Sequence, residues 1–259
     1  MLSAEFVRTG RHFAAIAAAM LIAACASTPN APSSSEVYDP WEGANRDLFV
    51  VYKAVDSNLV EPAALGYRKV TTPRVRSGVR NFLDNFRSPV ILFNDLMQGE
   101  FKRAGVTFSR FAINTLVGFY GTFDPAERLG LEYHSEDFGQ TMAVWGVPPG
   151  PFLMLPFFGP TSVRDISGRA VDTVMDPLFW LNDPAGNIIQ NSRIAGAALS
   201  EREAAIEALA DLEAGSLDYY VALRSVFMQV RRQQILNGRS ALSDLPEIDE
   251  FDVEFENFE

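Results

Sequence analysis

The chain has 259 residues, 47% of them hydrophobic, and a formal net charge of −11. That length allows one large domain or two small ones, and an acidic balance with no basic run argues against a nucleic-acid partner. One cysteine, Cys25, excludes disulfide staples, so the fold must rest on packing.

Arg8 and Arg11 precede an apolar run from Phe13 to Ala24. Charge, then an apolar stretch, then small residues is the pattern of a secretory signal, expected over residues 1–24. The run is well short of the roughly 20 residues that cross a bilayer as a helix. It closes on Leu21-Ile22-Ala23-Ala24-Cys25, which resembles the bacterial lipobox, so Cys25 is the expected lipidation site and new N-terminus. The alternative is ordinary cleavage beside a chance cysteine. Ala26 in place of an aspartate implies, in that class, sorting to the outer membrane. Residues 25–37, rich in Ser and Pro, are expected to form a lipidated flexible tether.

Residues 38–243 are expected to hold the folded domain, with no internal linker or repeat. Val75, Val79, Phe82 and Phe86 make a helical stripe, with Arg76, Arg80 and Arg87 on another face. Phe101, Ala104, Phe108, Phe111, Ala112 and Thr115 make another, opposite Arg103, Arg110 and Asn114. Such stripes are expected by default to pack into a core. Glycine-punctuated residues 117–138 read as a long loop. Met142 to Pro160 is nearly all apolar and broken by prolines, so it must be buried under helices or lie against lipid, and contact with lipid is the favoured reading. Val163, Ile166, Ala170 and Val174 form a third stripe, and residues 204–212 and 216–236 read as two more helices, the last ending at Asn237-Gly238. No β-alternation competes. Asp244 to Glu259 holds eight acidic residues and no basic one. It is expected to be a disordered, solvated tail, although Phe251, Phe255 and Phe258 leave partner docking open.

The residues for catalysis are scarce. His12 lies in the signal and His134 is the only other histidine, there is no Gly-x-Ser-x-Gly elbow, and no metal, calcium-loop or nucleotide motif is present. A structural role is expected for His134. Asp39, Glu42, Asp165 and Asp172 each have an arginine nearby in sequence, so ion pairing explains them better than acid–base work.

Tyr38-Asp-Pro-Trp-Glu-Gly-Ala-Asn-Arg46, Asn81-Phe-Leu-Asp-Asn85, Asn94-Asp-Leu-Met-Gln-Gly99, Phe108 to Gly118, Glu136-Asp-Phe-Gly-Gln140, Trp145 to Gly159 and Ser162-Val-Arg-Asp165, in that order, resemble the MlaA (VacJ) family of outer-membrane phospholipid-transport lipoproteins. The resemblance implies an all-α, single ring-like domain of amphipathic helices embedded in or lying on the membrane, at the periplasmic face of the outer membrane. It implies removal of mislocalised phospholipid from the outer leaflet through a polar channel, with no catalysis and no cofactor. The implied partners are a phospholipid, a trimeric porin and a periplasmic lipid carrier. Arg80, Arg110 and Asn114 are the channel-lining candidates, and Gly118, Gly121, Asp124 and Pro125 the gating-loop candidates. Trp145, Phe152, Leu153, Phe157 and Phe158 are the membrane-facing candidates. A porin-binding structural lipoprotein without transport is the alternative, and a lipid hydrolase a more distant one.

Overall fold

A computed structural model describes residues 38–181 and 183–237. The proposed signal, Cys25, the tether and the acidic tail lie outside the described residues. The chain is all-α apart from one β-hairpin. α1 (Glu42–Val55) passes through a π-helical turn (Asp56–Val60) into α2 (Glu61–Val70). Pro62 lacks the N–H that an unbroken α-helix would donate there, which favours the wider turn. α3 (Pro73–Met97) starts on Thr72, whose side chain accepts from the Val75 amide, and carries Pro89 in its middle. α4 (Phe101–Leu116) packs antiparallel against it after a short turn through Gly99.

A short helix, α5 (Pro125–Arg128), and α6 (Phe138–Val144) follow, capped by Asp124 and Asp137. β1 (Phe152–Leu155) pairs antiparallel with β2 (Gly159–Ser162), and Ser162 then caps α7 (Val163–Met175). A 3₁₀ turn (Pro177–Trp180) leads to α8 (Pro184–Ala204), α9 (Ile206–Gly215) and α10 (Tyr219–Ile235). The hairpin was not expected. The hairpin strand Phe-Leu-Met-Leu is apolar at every position, so it offered no period-two signal even though Phe152 and Met154 turn inward.

The apolar core is small: Phe152, Met154, Tyr220 and Leu223, flanked by Phe49, Tyr52 and Phe227. Phe152 meets Tyr220 edge-on at 6.1 Å. It is only 1% exposed, so its expected lipid contact is corrected to a core position. Asn45 fastens this hairpin to α1, donating to the Phe152 carbonyl and accepting from the Met154 amide, both at 3.0 Å. Asp39, beside it, accepts from Asn45, Tyr220 and Arg224, and the Phe152 amide bonds the Tyr38 carbonyl.

Elsewhere the usual distribution is inverted. Among the described residues nineteen polar or charged residues are buried against ten apolar ones, while large apolar side chains stand exposed on most helices. The α4 stripe shows it directly: Thr107, Arg110 and Asn114 are buried, whereas Phe101 is 72% exposed and Leu116 83%. The default expectation that these stripes pack inward is therefore corrected for α4, and Val75 and Phe82 on α3 are exposed too. A surface this apolar demands a covering of low polarity. Among the described residues no helix is long and apolar enough to cross a membrane.

Candidate functional site: a polar cavity between two helices

Asn81, Asp84, Asn85 and Ser88 recur along α3 at steps of three and four, so they share one face. Opposite them stand Arg110 and Asn114, one turn apart on α4, and the three segments around Asp124, Glu127 and Tyr133 close a cavity of about 200 Å³. Pro89 belongs to this architecture. Its missing N–H leaves the Asn85 carbonyl without its helical partner, and one residue earlier the Ser88 hydroxyl bonds the Asp84 carbonyl at 3.2 Å.

Asp124 ties the wall together. It accepts from Arg110, from Asn114 Nδ2 at 3.0 Å and from the Glu127 amide at 3.0 Å, and Asn114 Oδ1 in turn accepts from the Ala126 amide at 3.1 Å. Burial would raise the Asp124 carboxyl, but the Glu127 amide, Arg110 and Asn114 together hold it below its ordinary range. Arg110 also donates to the Leu131 carbonyl, and its guanidinium sits 5.6 Å from the centre of the Tyr133 ring. The Tyr133 hydroxyl reaches Asp84 Oδ1 at 3.2 Å, and burial with the nearby Asp84 charge pushes it up to about 12.

Tyr133 also borders a second, wider cleft of about 590 Å³, where Lys102 and Arg103 stand beside His134 and Ser135. Tyr133 therefore lines both an acidic and amide-lined space and a wider cleft that carries Lys102, Glu132 and an Arg103 paired with Glu136.

Of the three channel candidates, Arg110 and Asn114 meet in the cavity. Arg80 does not line it: it bonds Ser77 Oγ at 3.3 Å and pairs with Glu203 at 3.6 Å. Of the gating candidates, Asp124 lines the cavity, and Gly118, Gly121 and Pro125 lie in a tight knuckle next to it in sequence. A side chain at Gly118 would collide with the Asn114 and Phe123 carbonyls, and one at Gly121 (φ +87°) with Asn85. Between them Phe119 and Tyr120 adopt φ of 53° and 56°. Two consecutive non-glycine residues in this region hold strain of about 1–3 kcal/mol each. Pro125 opens α5 directly after Asp124.

Phe157 and Phe158 project from the hairpin tip, the former 76% exposed. Trp145 is exposed along one face, donates to the Met97 carbonyl at 3.2 Å and stacks edge-on against Phe138, while Leu153 is half-buried. Asn81, Asp84 and Asn85 entered the sequence reading only within a family motif, and none of Asn81, Asp84, Asn85, Ser88, Glu127 or Tyr133 was among the expected site residues. Their signal was the row of polar residues at steps of three and four on α3, obscured by the more conspicuous arginines.

The arginine pairing expected of the four carboxylates holds for Asp39, Glu42 and Asp165. Asp172 differs: its oxygens accept from Asn94 and the Phe138 amide. His134 lies among residue types that suggest a hydrolase, but the same Nε2 meets Asp95 at 3.0 Å and Thr107 at 3.1 Å, while Thr107 donates directly to Asp95. A base relay needs two ring nitrogens on two partners, so this cluster has the geometry of a structural link. No group of three His, Cys, Asp or Glu placed to hold a metal exists among the described residues.

The description "MlaA lipoprotein" matches residues 37–234. The chain belongs to the MlaA lipoprotein family. Among its relatives, the intermembrane phospholipid transport system lipoprotein MlaA of Haemophilus influenzae is 32% identical over 178 residues, covering 67% of this chain and 71% of that protein. An uncharacterized protein of Rickettsia conorii is 32% identical over 201 residues, 77% of this chain and 79% of the relative. A solved structure, reported as the structural basis for maintenance of bacterial outer membrane lipid asymmetry, superposes with a TM-score of 0.68 at 28% identity, covering 76% of this chain and 98% of that one.

Proposed function

We propose that this protein is an outer-membrane lipoprotein, acylated at Cys25, that draws mislocalised phospholipid from the outer leaflet and passes it to a periplasmic carrier. The headgroup moves through the polar cavity between α3 and α4 while the acyl chains stay among the exposed aromatic residues. The observation that carries this reading is the inverted distribution of polarity: amides, carboxylates and Arg110 line an interior space, and phenylalanines face outward. A headgroup needs hydrogen-bond partners at every point of its path through a region without water, and the cavity wall supplies them. The names of the Haemophilus influenzae relative and of the solved neighbour support the same role.

The 118–125 knuckle is the gate in this proposal. Its strained Phe119 and Tyr120 lie beside Gly121, which packs on the cavity residue Asn85, so relaxing the turn would move the wall. Trp145, Leu153, Phe157 and Phe158 sit in or near lipid, and a trimeric porin is the neighbour in the bilayer. No bond is broken in this process.

Deleting the gene should raise outer-leaflet phospholipid and weaken the barrier to detergent. An unchanged barrier in the deletion strain would end the proposal. Purified protein that binds a porin yet never carries phospholipid would instead favour a structural lipoprotein.

A further inference from the structure

We infer that the cavity between α3 and α4 selects phospholipids whose headgroup ends in a primary ammonium. This rests on the headgroup passage proposed above and specifies what passes best. The lining is rich in acceptors and poor in available cations. Arg110 is its one cationic side chain, already committed to Asp124 and the Leu131 carbonyl. Two carboxylates face the same space with no ion pair among the described residues: Asp84, which receives the Tyr133 hydroxyl, and Glu127, whose side chain bonds no described group. Burial raises the Asp84 carboxyl above its ordinary range. The Tyr133 hydroxyl, Arg87 and Arg110 oppose that rise and Glu201 adds to it, so its charge is incompletely balanced.

The second observation is independent of these acids. Asn85 lines the cavity and is only 7% exposed. Its Nδ2 donates to Thr115 Oγ1 at 3.0 Å and to the Tyr120 carbonyl at 3.5 Å, which fixes the amide's orientation and leaves Oδ1 as an acceptor with no donor among the described residues. A buried acceptor without a donor is unfavourable until something donates to it. Two unpaired carboxylates and one orphan amide oxygen are complementary to a compact cation with several N–H bonds, which is a primary ammonium. A trimethylated ammonium carries the charge but no N–H, and a glycerol headgroup carries donors but no charge. The headgroup phosphate would then rest on the far side of Tyr133, where Lys102 borders the outer cleft, Arg103 beside it being paired with Glu136.

The test uses the full-length protein inserted into vesicles of equal parts phosphatidylethanolamine, phosphatidylcholine and phosphatidylglycerol, re-extracted, with retained phospholipid quantified by mass spectrometry. Phosphatidylethanolamine should be enriched about tenfold over phosphatidylglycerol, the size of one charge-assisted contact, and also over phosphatidylcholine. Glu127→Gln and Asp84→Asn should each shrink the enrichment. Glu127 is exposed, so its variant carries the test even where Asp84→Asn lowers the melting temperature. Retained lipid of unchanged composition would overturn ammonium selection while leaving the headgroup passage standing. Equal retention of phosphatidylcholine and phosphatidylethanolamine would overturn selection of a primary ammonium. Saturable binding of free ethanolamine that leaves lipid enrichment untouched would assign the site to a soluble amine and overturn the proposal. Folded wild-type protein that retains no phospholipid would remove the passage and this inference with it.

Discussion

Arg231 and Asp137 form a two-point ion pair, Nη1 to Oδ2 and Nη2 to Oδ1, both 2.6 Å, that joins the last helix to the start of α6. Asp165 shares the same guanidinium at 2.9 Å. Burial alone would raise the Asp137 carboxyl, but Arg231 and the Gln140 amide bring it down to about 2. Its folded value lies below the ordinary 3.8, so the stabilisation is complete above about pH 4 and is lost as pH falls towards 2. It is worth about 2 kcal/mol. Urea melts between pH 5 and 2.5 should show that decline, and Asp137→Asn should flatten it. Arg231→Ala takes the paired cation from Asp137 and leaves Asp165 with Arg164 alone, and should cost about 3 kcal/mol at neutral pH.

Two phenylalanines five residues apart should behave oppositely. Phe152→Ala opens a hole beneath Tyr220 and should cost about 3–5 kcal/mol. Phe157→Ala should leave the melting temperature of detergent-solubilised protein within about 2–4 °C of wild type and weaken vesicle binding. Melting and vesicle flotation on both variants check the pair.

Much of the fold was legible in the sequence. The helices over 73–97, 101–116, 163–175 and 219–235 follow from apolar residues at steps of three and four, and Arg110 and Asn114 were visible as a polar face. What escaped was which face turns inward. Periodicity shows that Phe101 and Arg110 lie on different sides of a helix, but not which side meets the protein, because that depends on whether water or lipid lies outside. Arg80 misled for a related reason: its arginine chemistry suits a channel, but Glu203 on α8 was invisible locally. Tyr133 could not be found at all, since its partners Asp84 and Arg110 come from two distant helices.

Arg110→Gln should lower phospholipid transport by about tenfold or more, because Asp124 and the Leu131 carbonyl lose the charged donor that holds the cavity wall, a bond of about 1.5–3 kcal/mol. Arg80→Gln, on the Glu203 side, should change it less than about twofold, the scale of a partly exposed pair. Transfer of labelled lipid from vesicles carrying each variant distinguishes them. Equal rates would detach the cavity from transport.

Gly121→Ala should cost about 2 kcal/mol or more, from a left-handed φ of +87° and a methyl driven into Asn85. Gly105→Ala has open space around its new methyl and sits inside α4, so it should be neutral or stabilise by up to about 1 kcal/mol. Chemical melts of the two proteins give the comparison.

Asp39 is held by Arg224 and Tyr220, so the first residues of the folded region are bolted to its last helix. A pull on the N-terminal side therefore does not peel one element at a time. It arrives at a clamp shared by both ends of the domain, where the bonds to Asp39, Asn45 and Tyr38 are loaded together, in shear. The first described residues thus cannot leave the fold without breaking their bonds to the last described helix.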